Sequence, residues 1–325
     1  MKKTTFVCQT KLCMVRKKVS IVVPAFNEEL NVTVLYAEVK KNIPEQYDTE
    51  FIFVDDGSKD GTLIALKELK EKNPEVFFIS FSRNFGHQNA LKAGIDHATG
   101  DCVISMDADL QHPPAMLPQL LEAWEDGYDV VYTVRNDKGN GTFFKNLTSR
   151  MFYRMVNMLS TTRIEPGAAD FRLISKQVAQ ELSRITENYL FIRGLIAWMG
   201  FLQKSISYKP GKRHSGKTKY SFSKMVRFAA IGITSFSVKP LRISLIAGFI
   251  IALTAMGYGF YAIYAALFTT LALPGWGSLI ASVLFIGGIQ LMVLGVIGEY
   301  LGKMFLESKR RPNYIIKETN LEKTQ

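Results

Sequence analysis

From Ile243 to Gly298 the chain runs for 56 residues without an Asp, Glu, Lys, Arg or His. A membrane-spanning helix needs about 20 apolar residues, so this stretch is long enough for two crossings. Leu273-Pro274-Gly275-Trp276-Gly277 interrupts it near the middle, where Pro and Gly favour a turn. The expected spans are residues 244–269 and 278–300. A helical hairpin buried in a soluble core would have the same composition and is the competing expectation. Lys239 and Arg242 precede the first span, Lys303, Lys309, Arg310 and Arg311 follow the second, and the turn is uncharged. By the positive-inside rule both flanks and both termini are cytoplasmic, in a multi-pass protein of the cell (inner) membrane. The amino terminus is basic but has no apolar run of signal-peptide length, so nothing is expected to export the residues before the spans. Met14-Val15-Arg16-Lys17-Lys18 reads as an alternative translation start.

The net charge of +11 raises nucleic acid as a partner, but the charge is confined to one place. Of 40 Lys and Arg, ten lie between Lys204 and Arg242, where there is no Asp or Glu; the other 30 almost balance 29 acidic residues. The surplus therefore sits directly before the spans, which suits lipid headgroups or a substrate phosphate and not a nucleic-acid groove. Cys8, Cys13 and Cys102 make neither a disulfide framework nor a zinc-ligand spacing, which points to a reducing compartment.

Ahead of the basic segment, β-rich runs at Val19–Val23, Phe51–Val54, Val76–Phe81, Cys102–Met106 and Asp129–Thr133 alternate with longer stretches. Leu30–Asn42 and Thr62–Lys72 carry apolar residues at helical spacing, the second introduced by Ser58 and Asp60 as capping candidates. This alternation predicts βαβ units in a largely parallel, doubly wound α/β sheet, which binds ligands at the carboxyl ends of its strands. Those ends are polar: Pro24 to Glu29, then Asp55-Asp56-Gly57-Ser58, then Asp107 to His112, then Arg135. One acidic strand end is a cap or a solvated turn; three on one edge point to a ligand with hydrogen-bond donors and a metal. No Gly-x-Gly-x-x-Gly or Gly-x-x-x-x-Gly-Lys-Ser/Thr run follows the first strand, which argues against a dinucleotide oxidoreductase or a P-loop NTPase.

Mg²⁺ or Mn²⁺ takes oxygen ligands and keeps positions open for substrate phosphates, so one or two carboxylates in a tight loop suffice. Asp107 and Asp109 meet that need, and Gln111 adds a neutral oxygen. An isolated Asp-x-Asp is often a surface turn. Here it is preceded by CVISM and followed by LQHPP, at a switch from strand to helix. His112 is expected to pack or hydrogen-bond the loop and not to bind metal.

Four segments, VSIVVPAFNEE, FIFVDDGSKDGT, SFSRNFGHQNALKAGIDHATGD and VISMDADLQHPP, resemble in order and spacing the inverting glycosyltransferases of family 2. The nearest resemblance is to polyprenyl-phosphate glycosyltransferases, the dolichol-phosphate mannosyltransferases and bacterial undecaprenyl-phosphate glucosyltransferases, and it continues through GAADFRLIS and RHSGKTKYSFSKM to the spans. It implies a GT-A fold and transfer of one sugar from a nucleotide diphosphate sugar to undecaprenyl phosphate. UDP-glucose is the first donor it implies, with GDP-mannose and UDP-N-acetylhexosamines on similar frameworks. By position Pro24, Phe26 and Glu28 line the nucleoside pocket with Val54 and Asp56. Asp107 and Ala108 lie by the diphosphate, and Asp109, Gln111 and Asp107 hold the metal. Arg135, Arg213 and Lys219 meet phosphate oxygens, and Asp107, Asp109, Asp170 and Arg213 form the implied catalytic set.

The acceptor decides what else is needed. A sugar hydroxyl requires a general base, whereas a lipid phosphate, with a second pKa of about 6, is mostly dianionic and attacks unaided once its charge is neutralised. Asp170 is open to four roles: base, sugar-hydroxyl anchor, organiser of Arg172, or cap of the following helix. Arg172 and Arg193 are candidates for the acceptor phosphate. No Arg precedes Trp124, Trp198 or Trp276, so the Gln-x-x-Arg-Trp pattern of processive synthases is missing, and Glu125-Asp126 follows the metal loop too closely to activate a hydroxyl. The Gly211–Lys219 loop reads as a cationic closure over a diphosphate or as a lipid-binding patch. Residues 143–159 place Phe144, Leu147, Met151, Met155 and Leu159 on one helical face, interfacial or core-facing, and residues 222–228 read as a second such helix. Two other functions remain open, transfer to a hydroxyl-bearing glycolipid or polymer and non-catalytic binding of a sugar nucleotide. The expected layout is an extension (1–18), a catalytic domain (19–220), a juxtamembrane segment (221–242), the spans (243–302) and a cytoplasmic tail (303–325). Gly257-Tyr258-Gly259 and Gly287-Gly288 allow close helix packing in a homo-oligomer.

Overall fold

The computed structural model describes residues 16–135, 165, 167–188, 190–208, 237–268 and 275–321. Among them are strands β1 (Lys18–Ala25), β2 (Asp48–Asp55), β3 (Val76–Phe81), β4 (Cys102–Ser105), β5 (Val130–Arg135), β6 (Ala168–Ser175), β7 (Gln203–Tyr208) and β8 (Ile316–Thr319). They form one mixed sheet in the order β7-β5-β6-β4-β1-β2-β3-β8. Neighbours among β1 to β4 run parallel, whereas β6 is antiparallel to β4 and β5.

The central strands are apolar on both faces because both are covered, as parallel sheets require. Val19, Ile21, Val22 and Val23 are all fully buried. Ile21, Val23, Phe51, Phe53 and Ile104 pack with α1 (Val32–Asn42), α2 (Thr62–Lys72) and α4 (Leu117–Glu125), which follows a 3₁₀ turn at Pro114–Met116. On the other face Val22, Ile52, Val54, Ile79 and Val103 meet α3 (His87–Asp96), α5 (Lys176–Ser183) and α6 (Ile192–Trp198). Helix α3 lies so close to β1 that a Cβ on Gly94 would come within 2.2 Å of Val22 Cγ1.

Helices α7 (Lys239–Phe268) and α8 (Trp276–Ser308) contain windows, Lys239–Tyr261 and Phe285–Ser308, long and apolar enough to cross a membrane. None of either window is buried, and Leu245 and Leu291 are 74 % and 72 % exposed. A soluble-core hairpin would hide these faces, so that alternative fails and the hairpin associates with membrane. Both helices run past the expected spans at the ends nearest the sheet. Those ends meet where the Tyr300 hydroxyl donates to the Ser237 carbonyl at 2.6 Å. Within residues 303–325, where a cytoplasmic tail is expected, the chain continues α8 to Ser308 and then supplies β8, which pairs antiparallel with β3, Ile79 opposite Thr319.

Candidate active site

Strand register brings the polar segments to one edge. Ala25 is opposite Asp55, and Val22 opposite Ser105, so the loops after β1, β2 and β4 leave the sheet together. Strand β6 starts at that edge, with Arg172 opposite Ser105, and Arg135 ends β5 there beside Tyr208. Phe26, Glu28, Asp56, Asp107, Ala108, Asp109, Gln111, Arg135, Asp170 and Arg172 thus share the carboxyl edge. Pro24 lies within β1 opposite Val54, which is fully buried in the core on the α3 face and offers no surface to a ligand.

The first two loops are stitched together. Asn27, in the left-handed region at φ 57°, donates its N–H to Ser58 Oγ at 2.9 Å, and its Oδ1 accepts the Lys59 N–H at 2.9 Å. Glu28 N–H donates to Thr62 Oγ1 at 2.9 Å. Ser58 therefore holds the neighbouring loop and does not cap α2; Asp60 accepts the Thr62 N–H at 3.1 Å. Gly57 (φ +68°) lies against the loop after β3, where a Cβ would fall 2.4 Å from the Arg83 carbonyl carbon. Asp56 accepts from the N–H groups of Phe85 at 2.6 Å and Gly86 at 3.0 Å. Burial raises its pKa against the pull of those amides.

In the loop after β4, Leu110 turns the chain at φ 61° and Gln111 N–H donates to Asp109 Oδ1 at 3.1 Å. His112 packs as expected: its ring is stacked on Phe171 at 5.2 Å, and Nδ1 accepts the Asp107 N–H at 3.1 Å. In the same loop the Asp107 carboxylate faces His87 Nε2 at 3.5 Å.

The same imidazole nitrogen lies 3.5 Å from Asp170, which is the hub of the site. Arg193 grips Asp170 with both forks, Nε to Oδ1 at 2.7 Å and Nη2 to Oδ2 at 2.8 Å. Arg172 approaches at 3.5 Å, and Gln88 Nε2 donates at 3.5 Å. Burial opposes the Asp170 charge, but Arg193, His87 and Arg172 together hold its pKa well below the usual carboxylate range. The His87 side chain is 40 % exposed; partial desolvation opposes its charge, yet the Asp170 and Asp107 carboxylates raise its pKa to about 9. Burial lowers the Arg172 pKa to about 10 despite Asp170. The Arg172 Nη2 donates to the Ala169 carbonyl at 2.9 Å, while its buried Nε has no hydrogen-bond partner among the described residues. The capping role is excluded for Asp170, because Ser175 is the N-cap of α5 and accepts from the Val178 N–H. Sequence reasoning did not single out His87 or Gln88; their position at the start of the helix after a parallel strand was the available signal.

Arg213 and Lys219 lie outside the described residues, as do residues 143–159 and 222–228. Glu125 and Asp126 sit at the opposite edge, paired with Lys17 at 3.3 Å and Lys204 at 3.5 Å.

Residues 20–183, from within β1 to the end of α5, match the family described as Glycosyl transferase family 2. The chain belongs to glycosyltransferase family 2. Its sheet of central parallel strands flanked by antiparallel ones is the GT-A-like mixed α/β arrangement of that family, and residues 239–304 match a second family, the GtrB C-terminal hairpin. The uncharacterized glycosyltransferase YkcC of Bacillus subtilis (strain 168) is 42 % identical, over 92 % of this chain and 93 % of its own length. A prophage bactoprenol glucosyl transferase homolog of Escherichia coli (strain K12) and the bactoprenol glucosyl transferase of Shigella phage SfV are each 40 % identical, over 92 % of this chain and 98 % of theirs. Among solved structures, mannosyl-3-phosphoglycerate synthase from Rubrobacter xylanophilus aligns with a TM-score of 0.46 at 15 % identity, covering 80 % of this chain and 79 % of that one. A likeness that distant says nothing about ligand or metal. As a family 2 member the chain is a glycosyltransferase.

Proposed function

We propose that the chain transfers one sugar, with inversion, from a nucleotide diphosphate sugar to undecaprenyl phosphate at the cytoplasmic face of the cell membrane. The observation that carries this is the cluster at the carboxyl edge of the sheet, where Asp170 holds Arg193 and Arg172 and His87 bridges it to Asp107, in a chain that also carries the long apolar hairpin. A hairpin held in the bilayer would keep a membrane-borne acceptor near the donor loops. Relatives named for bactoprenol and glucose support the acceptor and make UDP-glucose the first donor to test.

The electrostatics favour a phosphate over a hydroxyl acceptor. Arg193, Arg172 and His87 supply three positive charges against the carboxylates of Asp170 and Asp107, an excess that suits a second anion. Asp170, stabilised as an anion, has little proton affinity and is a poor general base. It organises Arg193 and Arg172, which neutralise and orient an acceptor that is already deprotonated.

No group of three His, Cys, Asp or Glu among the described residues is arranged to hold an ion alone. Asp109, with Gln111 and Asp107, nonetheless fits Mg²⁺ or Mn²⁺, because a hard cation completed by substrate phosphates needs only one or two carboxylates. When bound, the ion supplies charge neutralisation at the leaving diphosphate. Arg135, Arg213 and Lys219 would contact that diphosphate, and Pro24, Phe26, Glu28 and Asp56 the nucleoside. Purified protein in vesicles with undecaprenyl phosphate, Mg²⁺ and a panel of labelled sugar nucleotides tests the reading. One donor's sugar should enter the organic phase with inverted anomeric configuration; label remaining in water for every donor would refute it.

A further inference from the structure

The last turn of α8 is fastened to the catalytic domain. Glu307 Oε1 accepts the backbone N–H of Asn188 at 2.7 Å, and Oε2 accepts from Asn188 Nδ2 at 3.1 Å. Asn188 Nδ2 also reaches the Leu306 carbonyl at 3.3 Å. Beyond the helix, Asn313 Nδ2 donates to the Glu187 carbonyl at 2.9 Å. Tyr314 stacks on Phe81 at 5.1 Å and donates its hydroxyl to Asp96 at 3.2 Å. Ser82 N–H donates to the Ile315 carbonyl at 3.0 Å, and β8 follows. The strap therefore holds two segments of the site edge, the end of β3 ahead of His87 and the loop that leads into Arg193.

Arg193 is already set locally. Asp170 takes its guanidinium, and Gln88 Oε1 accepts the Ile192 N–H at 3.1 Å, pinning the start of α6. The Glu307–Asn188 contact adds something else, a direct tie between that loop and a membrane-spanning helix. We infer that Glu307 is a positioning residue that, through Asn188, fixes the height of the Arg193–Asp170 pair over the bilayer so that it meets a membrane-borne acceptor phosphate. This rests on the proposed acceptor; the clasp itself does not.

The test compares wild type with Glu307→Ala and, as a milder variant, Asn188→Ala, which keeps the backbone N–H. Two acceptors are used, undecaprenyl phosphate in vesicles and a short, water-soluble isoprenyl phosphate, alongside hydrogen exchange of residues 186–193. Glu307→Ala should raise the KM for the vesicle acceptor about tenfold, the loss expected for charge-assisted hydrogen bonds. Donor KM and turnover of the soluble acceptor should stay within about twofold, and exchange in the loop should quicken. Asn188→Ala should show the same pattern with a smaller shift. Equal losses on both acceptors, or unchanged exchange, would overturn the inference by making Glu307 merely structural or the clasp absent. Failure of wild type to glycosylate either acceptor would overturn the functional reading and the inference together, and is distinguished because the unmodified protein already fails.

Discussion

Replacing Asp170 with Asn keeps the shape of the hub and removes its negative charge. The Asp170 side chain is 9 % exposed, Arg172 is 5 % exposed and Arg193 is 27 % exposed. Arg193 can recover some hydration by moving outward; Arg172, with Nε already unpartnered, cannot. Breaking a buried pair so that one charge is left uncompensated costs about 3–5 kcal/mol. At about 2–4 °C per kcal/mol for a domain of this size, the melting temperature should fall by about 6–20 °C. The assay is thermal unfolding in detergent at one fixed scan rate, paired with sugar transfer to the lipid. Stability and transfer should fall together, and Asp170→Ala should resemble Asp170→Asn. The depressed pKa means that the stabilisation is present above the unfolded value of about 3.9 and is lost only as pH falls through the lower folded value. If Asp170→Asn melted within about 2 °C of wild type and lost only turnover, the organiser role would be wrong and a base would have to be reconsidered.

Three further outcomes follow from the geometry. His87, raised to about 9, contributes stability that is full below the unfolded value of about 6.5 and is lost as pH rises through 9; in chelator, that alkaline loss should shrink in His87→Gln, read as melting temperature against pH. Gly57→Ala should cost about 1–3 kcal/mol and raise donor KM, because φ is +68° and the added Cβ meets the Arg83 backbone at 2.4 Å. Gly127→Ala, at φ +97° with open space around it, should leave donor KM unchanged, and equal donor KM effects would refute the contact argument. Asp109→Ala should lose divalent-metal-dependent transfer while melting within about 2 °C of wild type, and normal turnover would remove the metal assignment.

The parts of the fold legible in the sequence are those whose cause is local. Strands β1 to β4 emerge within three residues at either end because a strand buried on both faces writes a continuous apolar run, and the two long helices emerge because their apolar stretches are long enough to cross a membrane. Strand β5 emerges too, as the run Asp129–Thr133 against Val130–Arg135, whereas β6 to β8 leave no such trace. Residues Ala168–Ser175 include Asp170 and Arg172, and the edge strand Ile316–Thr319 reads IKET, polar enough to pass for tail. Its place depends on Ile79, far away in the chain. Helix α8 outruns the apolar stretch because Glu299, Lys303 and Glu307 are good helix formers. In the site, the acidic strand ends are visible from pattern and register, whereas the His87 and Gln88 contacts with Asp170 arise only when α3 and β6 meet across the sheet edge.

The most direct measurement is ³¹P NMR of the lipid extracted after reaction of purified protein with undecaprenyl phosphate and the active donor. Attack by the phosphate oxygen predicts that the phosphomonoester resonance is replaced by that of a phosphodiester in proportion to sugar transferred. An unchanged monoester resonance alongside sugar recovered on a hydroxyl-bearing lipid would contradict the account.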